Sequence, residues 1–161
     1  MRLLAILAAG SVALWVFLRG YAPSTPSTGT PDVDSGSGRG VMQDALDNFT
    51  QATANFEGAQ PWLNNPGNIK ATRNPYPGQV GVSDAGFAEF GDIGDGWDKL
   101  SQLTQAKALA HPEWDYYDFF GNWVNGDTTN TAGNVNNYAE YVAQYLGVDP
   151  TSSVAQTLGL A

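Results

Sequence analysis

The chain has 161 residues, and sixteen acidic side chains against seven basic ones give it a net charge of −9. This length suits one domain with appended segments. The acidic charge argues against nucleic acid as a partner, because phosphate backbones are bound by basic surfaces. No cysteine is present and His111 is the only histidine, so we expect no metal site and no cofactor.

The first segment is an uncharged apolar run over residues 3–18, between Arg2 and Arg19. It is slightly shorter than the ~20 residues that span a bilayer, but arginines at both ends can extend to the interfaces. The pattern predicts a transmembrane anchor over 1–21. A cleaved signal peptide is the alternative, although Pro23 makes a poor cleavage site. Small residues within the run also leave open an anchor that later leaves the membrane.

Residues 22–40 follow as a segment rich in Pro, Ser, Thr and Gly. Such a composition buries too little surface to fold, so it predicts a flexible linker with a reach on the order of 25 Å. The basic charge at the N-terminus favours a cytoplasmic start of the chain. We therefore expect a single-pass membrane protein whose domain, residues 41–161, lies on the periplasmic or outer face.

The segment 41–161 predicts a mainly helical α+β domain with one small hairpin. Apolar residues alternate with other residues on either side of the turn sequence Ser-Asp-Ala-Gly at 83–86, and this pattern predicts a hairpin over 79–90. The Asn/Pro/Gly-rich stretch 59–79 is expected to be an ordered loop with Trp62 buried in the core. Apolar residues recur at helical spacing in four segments: 41–56, 96–110, 112–124 and 135–146.

Glu57 differs from the other carboxylates in its position. It follows Phe56 at the C-terminal end of the first predicted helix and precedes Gly58. The helix dipole is negative at that end and apolar groups adjoin, so both effects predict a raised pKa for Glu57. A general acid that works near neutral pH needs such a pKa. An ordinary exposed glutamate at a frayed helix end is the alternative.

Several short motifs follow one another along residues 43–160. They are Phe-Glu-Gly at 56–58, Leu-Asn-Asn-Pro-Gly-Asn-Ile at 63–69, Phe87 and Phe90, Gly-Trp at 96–97, Asn-Asn-Tyr at 136–138 and Leu-Gly-Val at 146–148. Together they resemble the lysozyme-like transglycosylase domains of phage virion and tail proteins. The most specific of them is Asn-Asn-Pro-Gly-Asn-Ile.

The resemblance implies a lysozyme-like fold, in which a catalytic glutamate ends the first long helix and a hairpin lines the cleft. The resemblance implies that Glu57 is the catalytic acid. It also implies substrate-binding roles for Asn64, Asn65, Asn68 and Tyr138. Turn formation by the asparagines and plain packing of the tyrosine are the alternatives. Trp62 and Tyr76 are candidates for stacking on sugar rings, although burial in the core is the favoured interpretation for Trp62. The implied partner is the peptidoglycan glycan strand, cleaved between its N-acetylmuramic acid and N-acetylglucosamine units.

The number of carboxylates bears on the reaction type. A hydrolase of this kind commonly uses a second carboxylate. A lytic transglycosylase needs only one acid/base, because the 6-hydroxyl of N-acetylmuramic acid closes an anhydro ring in place of water. Asp84 and Glu89 in the hairpin are candidates for a second carboxylate, but no convincing motif holds them. This favours a bacteriolytic transglycosylase over a hydrolase.

The implied enzyme is phage virion-associated and is held in a host inner membrane or in the membrane of a virion. A non-catalytic lysozyme-like module that binds glycan or builds a virion is one alternative. A membrane-tethered protein-interaction domain is another, and it would leave Glu57 in a salt bridge or fully solvated.

Overall fold

A computed structural model describes residues 37–58, 61–124 and 132–161. The predicted anchor at 1–21 and the greater part of the predicted linker lie outside these residues. The first helix starts at Ser37, so the last four residues of the predicted linker, 37–40, belong to it. Within the ranges just given, no helix is both long and apolar enough to cross a membrane.

The described part of the chain is mainly helical and carries one small antiparallel sheet, as the sequence predicts. A single 3-10 turn, Pro61–Leu63, follows the first helix. The strands are β1, Gln79–Val82, and β2, Ala88–Phe90. The helices are α1 Ser37–Glu57, α2 Ile93–Ala110, α3 Tyr116–Trp123, α4 Ala132–Leu146 and α5 Val154–Thr157.

An aromatic cluster joins α1, α3 and α4, and we call it the helical core. The ring of Phe49 is stacked on that of Phe120 at 5.8 Å between centroids and meets Phe119 edge-on at 5.4 Å. Tyr116 and Tyr138 complete the cluster, and all five rings are buried. Burial of each such ring stabilises the fold by about 1.5–3 kcal/mol, so this cluster is the main apolar support of the domain.

A smaller apolar cluster lies under the loop and the hairpin, and it contains Ala54, Ile69 and Leu100. Close contact between α2 and the loop depends on Gly96. A Cβ at that position would collide with the main-chain oxygen of Asn64. Packing therefore explains why the Gly-Trp motif has a glycine at this position, because any side chain would push α2 away from the loop.

The predicted hairpin over 79–90 is confirmed. In the antiparallel register Gln79 is opposite Phe90 and Val82 is opposite Ala88, with an irregularity between Gln79 and Gly81. Ala88 and Phe90 are buried. Glu89 lies between them and, because successive strand residues point to opposite faces, it points away from the core.

The third helix begins later than its sequence pattern predicts. Pro112 is a favourable first helical residue, yet α3 starts at Tyr116 with Asp115 as its N-cap. The Tyr116 N–H donates to the main-chain oxygen of Pro150 at 3.1 Å, and the Ser153 hydroxyl donates to that of Pro112 at 2.7 Å. This tertiary pairing with the C-terminal segment holds Pro112 outside the helix.

Candidate functional site

The sequence places Glu57 at the end of the first helix, and the structure has it there. It is the last residue of α1 and is half-buried. Gly58 follows with φ of +58°, and its N–H donates to the main-chain oxygen of Ala54 at 3.1 Å. This is the left-handed glycine that commonly ends helices, and it turns the chain away directly after the Glu57 side chain.

Tyr138 reaches Glu57 from α4, 81 residues further along the chain, and its hydroxyl donates to Glu57 Oε1 at 2.9 Å. The Tyr138 side chain is 2% exposed. Its ring lies between those of Phe56 and Phe120, with a centroid distance of 4.0 Å on each side. A ring packed on both faces keeps its hydroxyl in one place, so the helical core fixes the position of this donor.

The environment of Tyr138 also fixes its protonation state. Burial, together with the neighbouring Glu57 carboxylate, raises the pKa of the Tyr138 phenol well above its ordinary value. The phenol therefore keeps its proton at neutral pH. A phenol hydroxyl both donates and accepts, so this contact suits the carboxylate and the carboxylic acid form of Glu57 alike.

Asn68 approaches Glu57 from the loop. Its side-chain amide nitrogen donates to the Glu57 main-chain oxygen at 3.0 Å and to Glu57 Oε2 at 3.3 Å. The first bond provides a donor for one of the last carbonyl groups of α1, which have no hydrogen-bond partner within the helix. The second leads to the carboxylate oxygen that Tyr138 does not contact. We call Glu57, Asn68 and Tyr138 the carboxylate clamp.

The other two asparagines of the motif join the loop to β2. Asn65 is 1% exposed; its amide nitrogen donates to the main-chain oxygens of Ile69 and Ala88, both at 2.9 Å. Its side-chain oxygen accepts from the Ile69 N–H at 2.8 Å. Asn64 donates to the main-chain oxygen of Phe90 at 3.1 Å. These bonds make the loop and the hairpin one unit.

Four residues carry the predicted substrate-binding role, and the structure separates them into two pairs. Asn68 and Tyr138 bond the Glu57 carboxylate, whereas Asn64 and Asn65 bond the main chain of the hairpin side. Contact of any of the four with a substrate stays a prediction.

The hairpin carboxylates differ in position. Asp84 is exposed in the turn between β1 and β2. Glu89 is half-buried and extends across the sheet, where its carboxylate lies over the α-carbon of Gly81. Both belong to the hairpin, and neither is a member of the carboxylate clamp.

One part of the site is not apparent from the sequence, and one residue differs from its predicted position. Phe120 covers one face of Tyr138, and its helical spacing indicates only that it is buried. Trp62 is expected in the core, but that expectation is wrong because its side chain is 74% exposed. The 3-10 turn directs Leu63 inward instead, where it is 2% exposed.

A separate cavity of about 570 Å³ lies between α1 and α2, and Glu57 is not among its lining residues. Glutamine, serine, threonine and aspartate side chains over residues 43–51 and 97–105 form most of its wall. It is an open polar groove, so the candidate site is assigned by the chemistry of the clamp rather than by this cavity. In the described ranges no group of three His, Asp or Glu side chains is arranged to hold a metal ion.

No protein-family model, curated protein or solved structure matches this chain. Its functional assignment therefore depends on the motifs and on the geometry of the clamp.

Proposed function

We propose that this chain is a peptidoglycan lytic transglycosylase with a lysozyme-like domain, and that Glu57 is its single general acid/base. The observation that carries the proposal is the carboxylate clamp. A half-buried carboxylate at a helix end has one oxygen bonded to Tyr138 and the other to Asn68. A catalytic acid must be held in one orientation towards the bond that it protonates, and the clamp supplies such an orientation.

The proposed reaction begins with the protonated form of Glu57. The carboxylic acid gives its proton to the glycosidic oxygen, the bond from that oxygen to C1 of N-acetylmuramic acid breaks, and an oxocarbenium-like transition state forms. Glu57 is then a carboxylate. The Tyr138 hydroxyl donates to it in this state, which stabilises the negative charge.

The second step regenerates the acid. The Glu57 carboxylate takes the proton of the 6-hydroxyl on the same sugar, and that oxygen bonds to C1 to close the 1,6-anhydro ring. Protons and bonds balance without water. Asn68 keeps the carboxylate oriented throughout, because its amide is also bonded to the main chain of Glu57.

The order of the elements supports a lysozyme-like domain. A long helix ends at the proposed acid, a two-stranded hairpin follows, and helices complete the domain. The hairpin is tied to the loop that carries Asn68, so loop and hairpin together form the wall of the clamp opposite α4. Residues 3–18 would hold the enzyme at a membrane, and association with a phage virion belongs to the same proposal.

One-carboxylate chemistry is favoured over hydrolysis because no convincing motif marks a second carboxylate. The candidates Asp84 and Glu89 lie on the hairpin, and neither belongs to the clamp, in which Asn68 and Tyr138 bond the Glu57 carboxylate. A second acidic group that works together with Glu57 is not needed when an internal hydroxyl is the nucleophile.

The proposal is tested with purified sacculi and the full-length chain. Mass analysis of the released muropeptides distinguishes anhydro ends, which are lighter by one water, from reducing ends. We expect anhydro ends, with release retained in Asp84→Asn and Glu89→Gln.

Reducing ends, together with loss of release in one of these two variants, would assign a hydrolase instead. Binding to sacculi with no release at all would contradict catalysis and favour a non-catalytic glycan-binding module.

A further inference from the structure

Trp62 is the one tryptophan of the described residues that the fold leaves exposed, at 74%. Trp97, Trp114 and Trp123 are half-buried. Trp97 and Trp123 pack against the core clusters, and Trp114 is stacked on His111 at 3.7 Å. The indole of tryptophan is the largest side chain with an apolar face. An exposed one is unusual here, because the other tryptophans of the described residues are partly buried.

The exposure of Trp62 does not come from a loose segment. The next residue, Leu63, is buried, and Asn64 is bonded to the main chain of β2. The 3-10 turn that holds Trp62 packs against β2, and Gly96 lets α2 lie directly against Asn64. The indole is therefore presented to solvent from a rigid support.

The chain limits the distance between Trp62 and the clamp. Trp62 is five positions after Glu57, so their Cα atoms are at most roughly 18 Å apart. Asn68 belongs to the same loop, and the buried Asn65 fixes that loop to the hairpin. A strand of several sugar units spans a distance of this order, so a polymer bound at Glu57 is long enough to contact Trp62.

We propose that Trp62 is a glycan-binding residue, on whose indole face a pyranose ring of the bound strand packs through its C–H groups. The inference rests on the proposed function and adds a contact remote from the cleaved bond. The turn Pro61–Leu63 carries no charge, which suits a largely neutral sugar better than an ionic ligand. An indole combines a large apolar face with rigidity, so it orders a ring with little loss of side-chain entropy.

The test measures binding separately from cleavage. Trp62→Ala, Trp62→Phe and Leu109→Ala are each made in the full-length Glu57→Gln protein, and binding to sacculi and to a soluble N-acetylglucosamine oligosaccharide is titrated. Leu109 is a matched control because it is also exposed and apolar, at 54%. It lies thirteen residues along α2 from Gly96, or about 20 Å.

We expect Trp62→Ala to weaken binding roughly ten- to hundredfold, Trp62→Phe to weaken it less, and Leu109→Ala to leave it unchanged. In the protein with Glu57 intact, Trp62→Ala should raise KM with little change in kcat, because the contact is equal in ground and transition states. Thermal unfolding should be unaffected, since the side chain is exposed.

Unchanged binding and unchanged KM in Trp62→Ala, while the wild type releases muropeptides, would overturn this inference and leave the proposed function standing. Binding that depends on Trp62 in a wild type that releases nothing would support the inference and contradict the catalytic proposal. A wild type that neither binds nor cleaves would contradict both.

Discussion

The two sides of the clamp are built on different principles. Tyr138 belongs to the helical core, where rings from three helices pack together and apolar burial stabilises the fold. Asn68 belongs to the loop and hairpin, whose apolar cluster is small and where amide side chains bond the main chain. Glu57 lies between them. Its orientation therefore depends on two regions that different substitutions should weaken.

The largest expected effect is on the helical core. Phe120→Ala removes the ring that stacks on both Phe49 and Tyr138, and a buried Phe→Ala change costs about 3–5 kcal/mol. We expect the free energy of unfolding, measured by urea titration, to fall by that amount. Phe87→Ala in the half-buried hairpin position is the control and should cost clearly less. An equal loss in both variants would contradict the distinction between the two regions.

The next effect isolates the hairpin side. Asn65→Ala leaves the main-chain groups of Ile69 and Ala88 without their buried partner, at a cost of about 2–3 kcal/mol. Amide hydrogen exchange should show that strands β1 and β2 lose protection before the helical core does. Asn55→Ala, at an exposed position on α1, should change stability by no more than about 0.5 kcal/mol. Equal loss of protection throughout would mean that loop and hairpin are not a separate unit.

The pH dependence of stability tests the Tyr138 side. The pKa of Tyr138 is raised in the folded state by burial and by Glu57. The protonated phenol therefore makes its full contribution to the free energy of unfolding below a pH of about 10, the ordinary tyrosine pKa. Above that pH the unfolded phenol ionises first, and stability falls by up to about 1.4 kcal/mol per pH unit until the folded pKa is reached.

Tyr138→Phe should therefore flatten the loss of stability in urea titrations between neutral and strongly alkaline pH. Burial raises the pKa of Tyr116 as well, so some alkaline loss should persist in the variant. A profile identical to that of the wild type would show that Tyr138 is not the buried phenol described.

The smallest effect concerns the end of α1. Gly58 and Gly40 both have open space at the position of a Cβ, but Gly58 has a positive φ and Gly40 lies within the helix. Gly58→Ala should destabilise by about 1 kcal/mol through backbone strain, whereas Gly40→Ala should stabilise by about 0.5–1 kcal/mol. Thermal unfolding of the two variants should move in opposite directions. A shift in the same direction would contradict the left-handed helix end.

Local patterns account for much of this fold. Helical spacing and alternation predict the helices and the hairpin, and the position of Glu57 follows from the end of that spacing beside Gly58. The start of α3 was not predictable in this way, because Pro112 and Asp115 are both good helix starts. The choice between them depends on hydrogen bonds between residues that are 34 and 41 positions apart in the chain.

The roles of the asparagines were likewise not predictable from local sequence patterns. Asn65 and Asn68 have identical side chains in one motif, yet one is buried against the hairpin and the other bonds Glu57. Their sequence context gives both turn character and does not separate them. Trp62 is exposed because the 3-10 turn buries its neighbour Leu63, and composition alone predicts burial for either residue.

The most direct test of the clamp is the rate of muropeptide release from sacculi by Glu57→Gln. Glutamine keeps the size of the side chain; its oxygen can accept from Asn68 and its N–H can donate to the Tyr138 hydroxyl, so the fold should be retained. It has no acidic proton to transfer, and we expect the rate to fall about 10²–10⁴-fold with thermal unfolding unchanged. Release at a near wild-type rate by the folded variant would contradict the assignment of Glu57 as the acid/base.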